Sequence, residues 1–227
     1  MAADPRLTGR PGVRTASASS FDGAQTASRD SSPATAGRNL ERVARVINPG
    51  GWAVENERPI ATLLGSCVAV CLYDPKLRLA GMNHFLLPGG SRRDINNIDT
   101  VLHGDYAMEV LRNAMFARGA SNKRLVAKAF GGGNVVNAIQ MAIGTRNAEF
   151  ARQWLAREGI PLLATDLGGS WSRKVVLNPR TGDVFCRRGA IHQPEAIAMA
   201  DAENAYEKAL LKRSQAPATK EKKIELF

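Results

Sequence analysis

The run GSCVAVCLYDPKLRLAGMNHFLLPGG, residues 65–90, decides how the chain folds. Val, Leu, Cys, Tyr and Phe dominate its two halves, and Asp74-Pro75-Lys76 between them is turn chemistry, so a β-hairpin is expected. With Pro75 and Lys76 at the centre of the turn, the numbers of opposed residues add to 151, and Cys67 faces His84. Opposed residues of an antiparallel pair hold their Cβ atoms about 4.5–5.5 Å apart, within reach of a thiol–imidazole contact. An imidazole at that distance lowers the pKa of a thiol and accepts its proton, which a nucleophilic cysteine needs. Register is decisive, because a loop one residue longer or shorter offsets the pair and can turn the two side chains to opposite faces.

A strand cysteine among valines is also a small core hydrophobe, and spacing alone leaves both readings open. Two features favour chemistry. Gly65-Ser66, just before Cys67, reads as a tight turn whose backbone N–H groups can hold an oxyanion, and Asn83-His84 is polar inside an apolar strand. Cys71 shares the face of Cys67 but is expected opposite Ala80, with no base beside it, and reads as core packing.

Strand and helix signals alternate around the hairpin. Asp105 to Arg118 places Ala107, Val110, Leu111, Ala114 and Met115 on one helical face, with Gly119 as a stop. Leu125–Phe130 reads as a strand ending in three glycines, and Thr145 as the cap of a helix that carries Ala148, Phe150, Ala151, Trp154 and Leu155 towards Gly159. Leu162–Leu167 is a further strand, and Lys174–Leu177 with Val184–Cys186 forms a second hairpin around Asn178-Pro179-Arg180-Thr181-Gly182. A last helix spans about Pro194 to Lys212. The fold expected is α/β, a mixed β-sheet sandwich with flanking helices in a single domain over residues 39–213. Residues 1–38 and 214–227 are polar, lack a hydrophobic period and are expected to be a disordered N-terminal tail and a flexible basic C-terminal tail. The glycine clusters Gly89-Gly90, Gly131-Gly132-Gly133 and Gly168-Gly169 follow strand ends, either as tight turns or as the rim of a site.

The net charge of +10 raises the question of nucleic acid. Residues 1–45 hold seven Arg against four acids and residues 206–227 six Lys or Arg against three, so more than half of the excess lies in the expected tails. With no aromatic-rich basic stripe, nucleic-acid binding is not expected. The longest uncharged run, fifteen residues between Arg58 and Asp74, is too short and too polar to span a bilayer, so no membrane insertion is expected. Three cysteines at no framework spacing suit a reducing compartment, and the first residues lack the apolar core of a secretory signal, so a cytoplasmic location is expected. A zinc site from Cys67, Cys71 and either His84 or His103 would lack the paired spacing of structural zinc modules; neither metal nor organic cofactor is expected.

Five blocks in order, Thr62-Leu63-Leu64-Gly65-Ser66-Cys67-Val68, Asn83-His84-Phe85-Leu86-Leu87-Pro88, Ala127-Lys128-Ala129-Phe130-Gly131-Gly132-Gly133-Asn134, Ile143-Gly144-Thr145-Arg146-Asn147 and Asp166-Leu167-Gly168-Gly169-Ser170-Trp171-Ser172-Arg173-Lys174-Val175, resemble the chemoreceptor glutamine deamidase family, CheD. The resemblance covers roughly residues 46–190. It implies hydrolysis of selected glutamine side chains on methyl-accepting chemotaxis receptors to glutamate, with release of ammonia, by an enzyme working near membrane-bound receptor arrays. Carried over by motif, Cys67 is the nucleophile, His84 the general base and then acid, and Thr62 the residue that orients the imidazole. Ser66 is a candidate oxyanion donor, and Asn134 and Arg173 are candidate substrate contacts. The family also binds CheC-type phosphatases, so the alternative is a non-catalytic adaptor that binds receptors or such a phosphatase.

Overall fold

The computed structural model describes residues 32–87, 98–133, 138–190 and 194–214; Asn134, Gly89-Gly90 and most of both expected tails lie outside them. The strands are β1 (Arg45–Val46), β2 (Trp52–Glu55), β3 (Ile60–Leu64), β4 (Val68–Asp74), β5 (Leu79–Asn83), β6 (Val126–Gly131), β7 (Leu162–Leu167), β8 (Ser172–Leu177) and β9 (Val184–Gly189). The helices are α1 (Pro33–Val43), α2 (Ile98–Ala117), α3 (Ala138–Arg157) and α4 (Pro194–Ser214). α1 starts ahead of the boundary drawn at residue 39, with the Ser32 hydroxyl accepting from the Thr35 N–H at its N-cap.

The strands form two mixed sheets, one in the order β2-β5-β4-β6-β7 and one in the order β1-β3-β8-β9. The expected α/β sandwich with flanking helices is therefore what the chain adopts. β4 is the centre of the larger sheet and is buried on both faces, which is why its sequence is almost continuously apolar. Its Val68, Val70 and Leu72 pack towards Met108, Leu111 and Met115 of α2 and Ala151, Trp154 and Leu155 of α3. Its Ala69 and Cys71 pack towards Ile60, Leu64, Val175 and Leu177 of the smaller sheet. Alternation in β3 sends Ala61 outward to Val176 and Leu40, where α1 covers the outer face, and leaves Thr62 on the inter-sheet side. Burying each large aliphatic side chain in these layers is worth about 1.5–3 kcal/mol.

The β4–β5 hairpin forms, but with a longer turn than expected. Asp74 pairs with Leu79 and Cys71 with Met82, so opposed numbers add to 153 rather than 151. The cause is Asp74, whose buried carboxylate accepts from the Lys76 and Leu77 N–H groups at 3.1 and 3.3 Å and ion-pairs with Arg124 at 2.8 Å. That arrangement holds Pro75 to Arg78 in the turn, with Arg78 at φ 48°. A two-residue shift keeps every side chain on its face. Cys67 and His84 are thus not direct partners; they lie diagonally near the open end of the hairpin, on either side of the Val68–Phe85 bridge. The same shift places Cys71 opposite Met82 instead of Ala80.

α3 also departs from expectation. It begins at Ala138, so Thr145 lies inside the helix rather than at its N-terminus. Gly144 within it makes a close contact: a Cβ there would lie 2.6 Å from the Gly132 carbonyl oxygen. The helix therefore packs directly on the end of β6.

Candidate functional site

Between β3 in one sheet and β4 in the other, the chain crosses through only three residues, Gly65, Ser66 and Cys67. All three of their carbonyls are tied down on one side. Gly65 C=O accepts from the Gly133 N–H at 2.8 Å, Ser66 C=O from the Asn147 side-chain amide at 2.9 Å, and Cys67 C=O from the Gly132 N–H at 2.7 Å. With the carbonyls held there, the three N–H groups converge on the other side. The glycine cluster after β6 is thus a clamp: Gly131 has φ 111°, and a Cβ on it would lie 2.1 Å from the Cys67 carbonyl oxygen.

His84 follows β5 directly and is fully buried. Its backbone is pinned by the Gly51 carbonyl, which accepts its N–H at 2.9 Å, and by the Gly50 N–H, which donates to its carbonyl at 2.7 Å. The Thr62 hydroxyl donates its single proton to the Ile47 carbonyl at 2.8 Å, so its oxygen can only accept from His84 Nδ1, also 2.8 Å away. This fixes the Nδ1–H tautomer and leaves Nε2 as a bare lone pair. Nε2 is buried, lacks a hydrogen-bond partner, and faces Cys67.

A fourth group, unforeseen from the sequence, completes the site. Glu203 of α4 accepts on Oε1 from the Gly65 and Cys67 N–H groups at 2.8 and 3.2 Å, and on Oε2 from the Ser66 N–H and hydroxyl, both at 2.8 Å. Its Oε1 lies 3.9 Å from His84 Nε2. The Cys67 sulfur, a His84 ring nitrogen and a Glu203 oxygen lie within 4.8 Å of one another, a donor set compatible with zinc by type. Each carboxylate oxygen already accepts two hydrogen bonds, however, so a cation would compete with the amides. Cys71, expected from the sequence to be core packing, is not in this set and packs between the sheets.

Charge is suppressed in the pair. Burial first, and the Glu203 carboxylate second, push the Cys67 thiol well above its ordinary range. Burial lowers His84 to about 4, with Glu203 opposing. Both shifts favour a neutral thiol beside a neutral imidazole. Cys71, pushed up by burial as well, has Met82 across the ladder.

The structure brings Thr62, Ser66, Cys67 and His84 together. Arg173 belongs to a separate buried network: it ion-pairs with Asp166 at 2.9 Å, donates to the Gly168 and Trp171 carbonyls, and lies against the Trp171 ring. Burial disfavours the Asp166 carboxylate, but hydrogen bonds from Arg188 and Arg173 outweigh it and hold that group at about 2. Asn147 and Glu203 carried no signal of site membership in the sequence beyond Asn147 falling in one of the quoted blocks.

A CheD chemotactic sensory transduction family signature matches residues 86–188. A protein of Dechloromonas aromatica named "Probable chemoreceptor glutamine deamidase CheD 2" is 55% identical over 192 residues, 84% of this chain and 96% of that protein. A Xanthomonas campestris pv. campestris protein, "Probable chemoreceptor glutamine deamidase CheD", is 47% identical over 78% of this chain and 85% of its own length. One from Burkholderia thailandensis, "Probable chemoreceptor glutamine deamidase CheD 2", is 41% identical over 78% of this chain and 91% of its own. Likeness to solved structures is slight: the Bacillus licheniformis hypothetical protein YfiH aligns over 52% of this chain and 49% of its own at a TM-score of 0.31 and 15% identity.

Proposed function

The chain belongs to the CheD family, and from that premise we propose that it hydrolyses glutamine side chains of chemotaxis receptors to glutamate and ammonia, with Cys67 as nucleophile. The observation that carries this reading is the convergence of a thiol, an imidazole with a fixed tautomer and three aligned backbone N–H groups within one three-residue turn.

A carboxamide is a weak electrophile, so its carbonyl oxygen has to be held where negative charge will develop. The Gly65, Ser66 and Cys67 N–H groups and the Ser66 hydroxyl are arranged for that purpose. Sγ attacks the amide carbon as its proton passes to Nε2 of His84, and the same proton then leaves with ammonia. Water, deprotonated by the freed Nε2, breaks the thioester and restores the thiol. Thr62 keeps Nε2 in the lone-pair form throughout. Among the described residues no helix is long and apolar enough to cross a membrane, consistent with an approach to receptor arrays from the cytoplasm.

Incubation with a receptor cytoplasmic fragment tests the reaction: a gain of about 1 Da per converted glutamine, localised by peptide mass, is expected. An unchanged mass with the fragment still bound would support the adaptor reading, for receptors or a CheC-type phosphatase, instead. Thr62→Val should lower kcat by about 100-fold with little change in KM, because Nδ1–H and the Ile47 carbonyl both lose their partner. Thr62→Ser should restore most of it; equal loss in both variants would deny Thr62 its positioning role.

A further inference from the structure

α4 buries an unusual stripe. Among its described residues Ala196, Glu203 and Leu210 are the buried ones, spaced by seven, with Tyr206 half-buried against the inter-sheet cluster, while Ile197 remains 54% exposed. A helix that docks by hydrophobic burial presents a broad apolar face, with about three apolar positions in every two turns. Here the middle position of a narrow stripe is a carboxylate, and that carboxylate reaches the catalytic turn.

The contacts are those of a ligand. Four donors surround the two oxygens: the Gly65, Ser66 and Cys67 N–H groups and the Ser66 hydroxyl. Gly65 admits the group because it lacks a side chain; a Cβ there would lie 2.9 Å from Glu203 Oε2. The unpartnered, fully buried Nε2 of His84 points at the same place from 3.9 Å. A glutamate side chain on a backbone cradle, beside the nucleophile and the base, is what remains when a glutamine has been deamidated.

We propose that Glu203 is a built-in product mimic and that α4 is an intrasteric plug, which has to lift from the catalytic turn before a receptor glutamine can enter. This rests on the deamidase reading of the same site and adds its regulation. The plug acts twice: it fills the cradle, and it holds a negative charge beside the sulfur, which disfavours the thiolate. Anything that draws α4 away, whether a receptor or another protein, would switch the enzyme on. Besides Ala196 and Leu210, the half-buried Tyr206 packs against the inter-sheet cluster, so lifting α4 has to give up that burial as well.

The test uses the full-length protein with iodoacetamide as the probe. Alkylation of Cys67 and Cys71 is followed by peptide mass between about pH 7 and 9, the range in which thiolates of ordinary pKa form. Glu203→Ala removes the mimic, and Leu210→Asp loosens α4 without touching the cradle. Both should alkylate Cys67 at least about tenfold faster than the parent protein, the change given by one unit in thiol pKa, while Cys71 stays slow. Both should also speed receptor-fragment deamidation at low substrate. Cys67 reactivity that stays at the parent level or falls in both variants overturns the plug. So does a parallel rise at Cys71, which would make α4 part of the folded core. Faster alkylation without any receptor deamidation keeps the plug and removes the deamidase reading; deamidation with unchanged alkylation does the reverse.

Discussion

Cys67→Ala is expected to eliminate receptor deamidation, a loss of at least about 10⁴-fold, while Cys71→Ala retains it. The two cysteines make a controlled pair. Both are buried, both lie in the inter-sheet cluster, and they are four residues apart with the same facing. Each alanine removes a sulfur from packed surroundings, which costs about 1–2 kcal/mol in either case. What differs is the neighbourhood: Cys67 has the lone pair of His84 Nε2 and the convergent N–H groups, whereas Cys71 has Met82 across the ladder. Urea midpoints should therefore fall by similar amounts for the two variants, and only one should lose the mass gain on the receptor fragment. Similar activity losses in both, without unfolding, would remove the assignment of Cys67.

The elements that sequence displays best are those whose own residues determine them. β4 is legible because both of its faces are buried and its apolar run is unbroken; β7 is bounded by Pro161 and Gly168, and its limits match the expectation. The hairpin was legible and its register was not, because an Asp74 side chain and an Arg124 from 50 residues away set the turn. β1 and β2 are short, and β1 exists only through its pairing with β3. The start of α3 was expected at a Thr145 cap, whereas the helix begins at Ala138 and carries Gly144 inside it, in contact with Gly132.

The site divides along the same line. Thr62, Cys67 and His84 belong to motifs whose residue types announce chemistry. Glu203 looks like one more solvated acid on a polar helix, and its partners stand 136 to 138 residues away in the chain. Only the fold shows that the carboxylate sits on the turn from Gly65 to Cys67.

Asn147→Leu is expected to produce the other large effect, in stability and rate together. The side chain is fully buried in α3 and bridges two segments: Oδ1 accepts the Leu87 N–H at 2.9 Å, and Nδ2 donates to the Ser66 carbonyl at 2.9 Å. Leucine fills the space but leaves a buried donor and a buried acceptor without partners, at a combined cost of about 2–5 kcal/mol. The kinetic consequence follows from the clamp. The Ser66 carbonyl is the middle one of the three anchored beneath the turn, and its release frees the Ser66–Cys67 peptide to rotate, turning the Cys67 N–H away from the point where the oxyanion forms. Losing one such donor lowers kcat by about 10²–10³-fold. Asn147→Asp keeps the acceptor for the Leu87 N–H, but its carboxylate can only repel the Ser66 carbonyl. Burying an unpaired charge is itself costly, so this variant should lose at least as much stability as Asn147→Leu and as much of the rate. The measurements are a urea midpoint and the initial rate of receptor-fragment deamidation. A full rate in Asn147→Asp would mean that Gly132 and Gly133 hold the turn without help from α3.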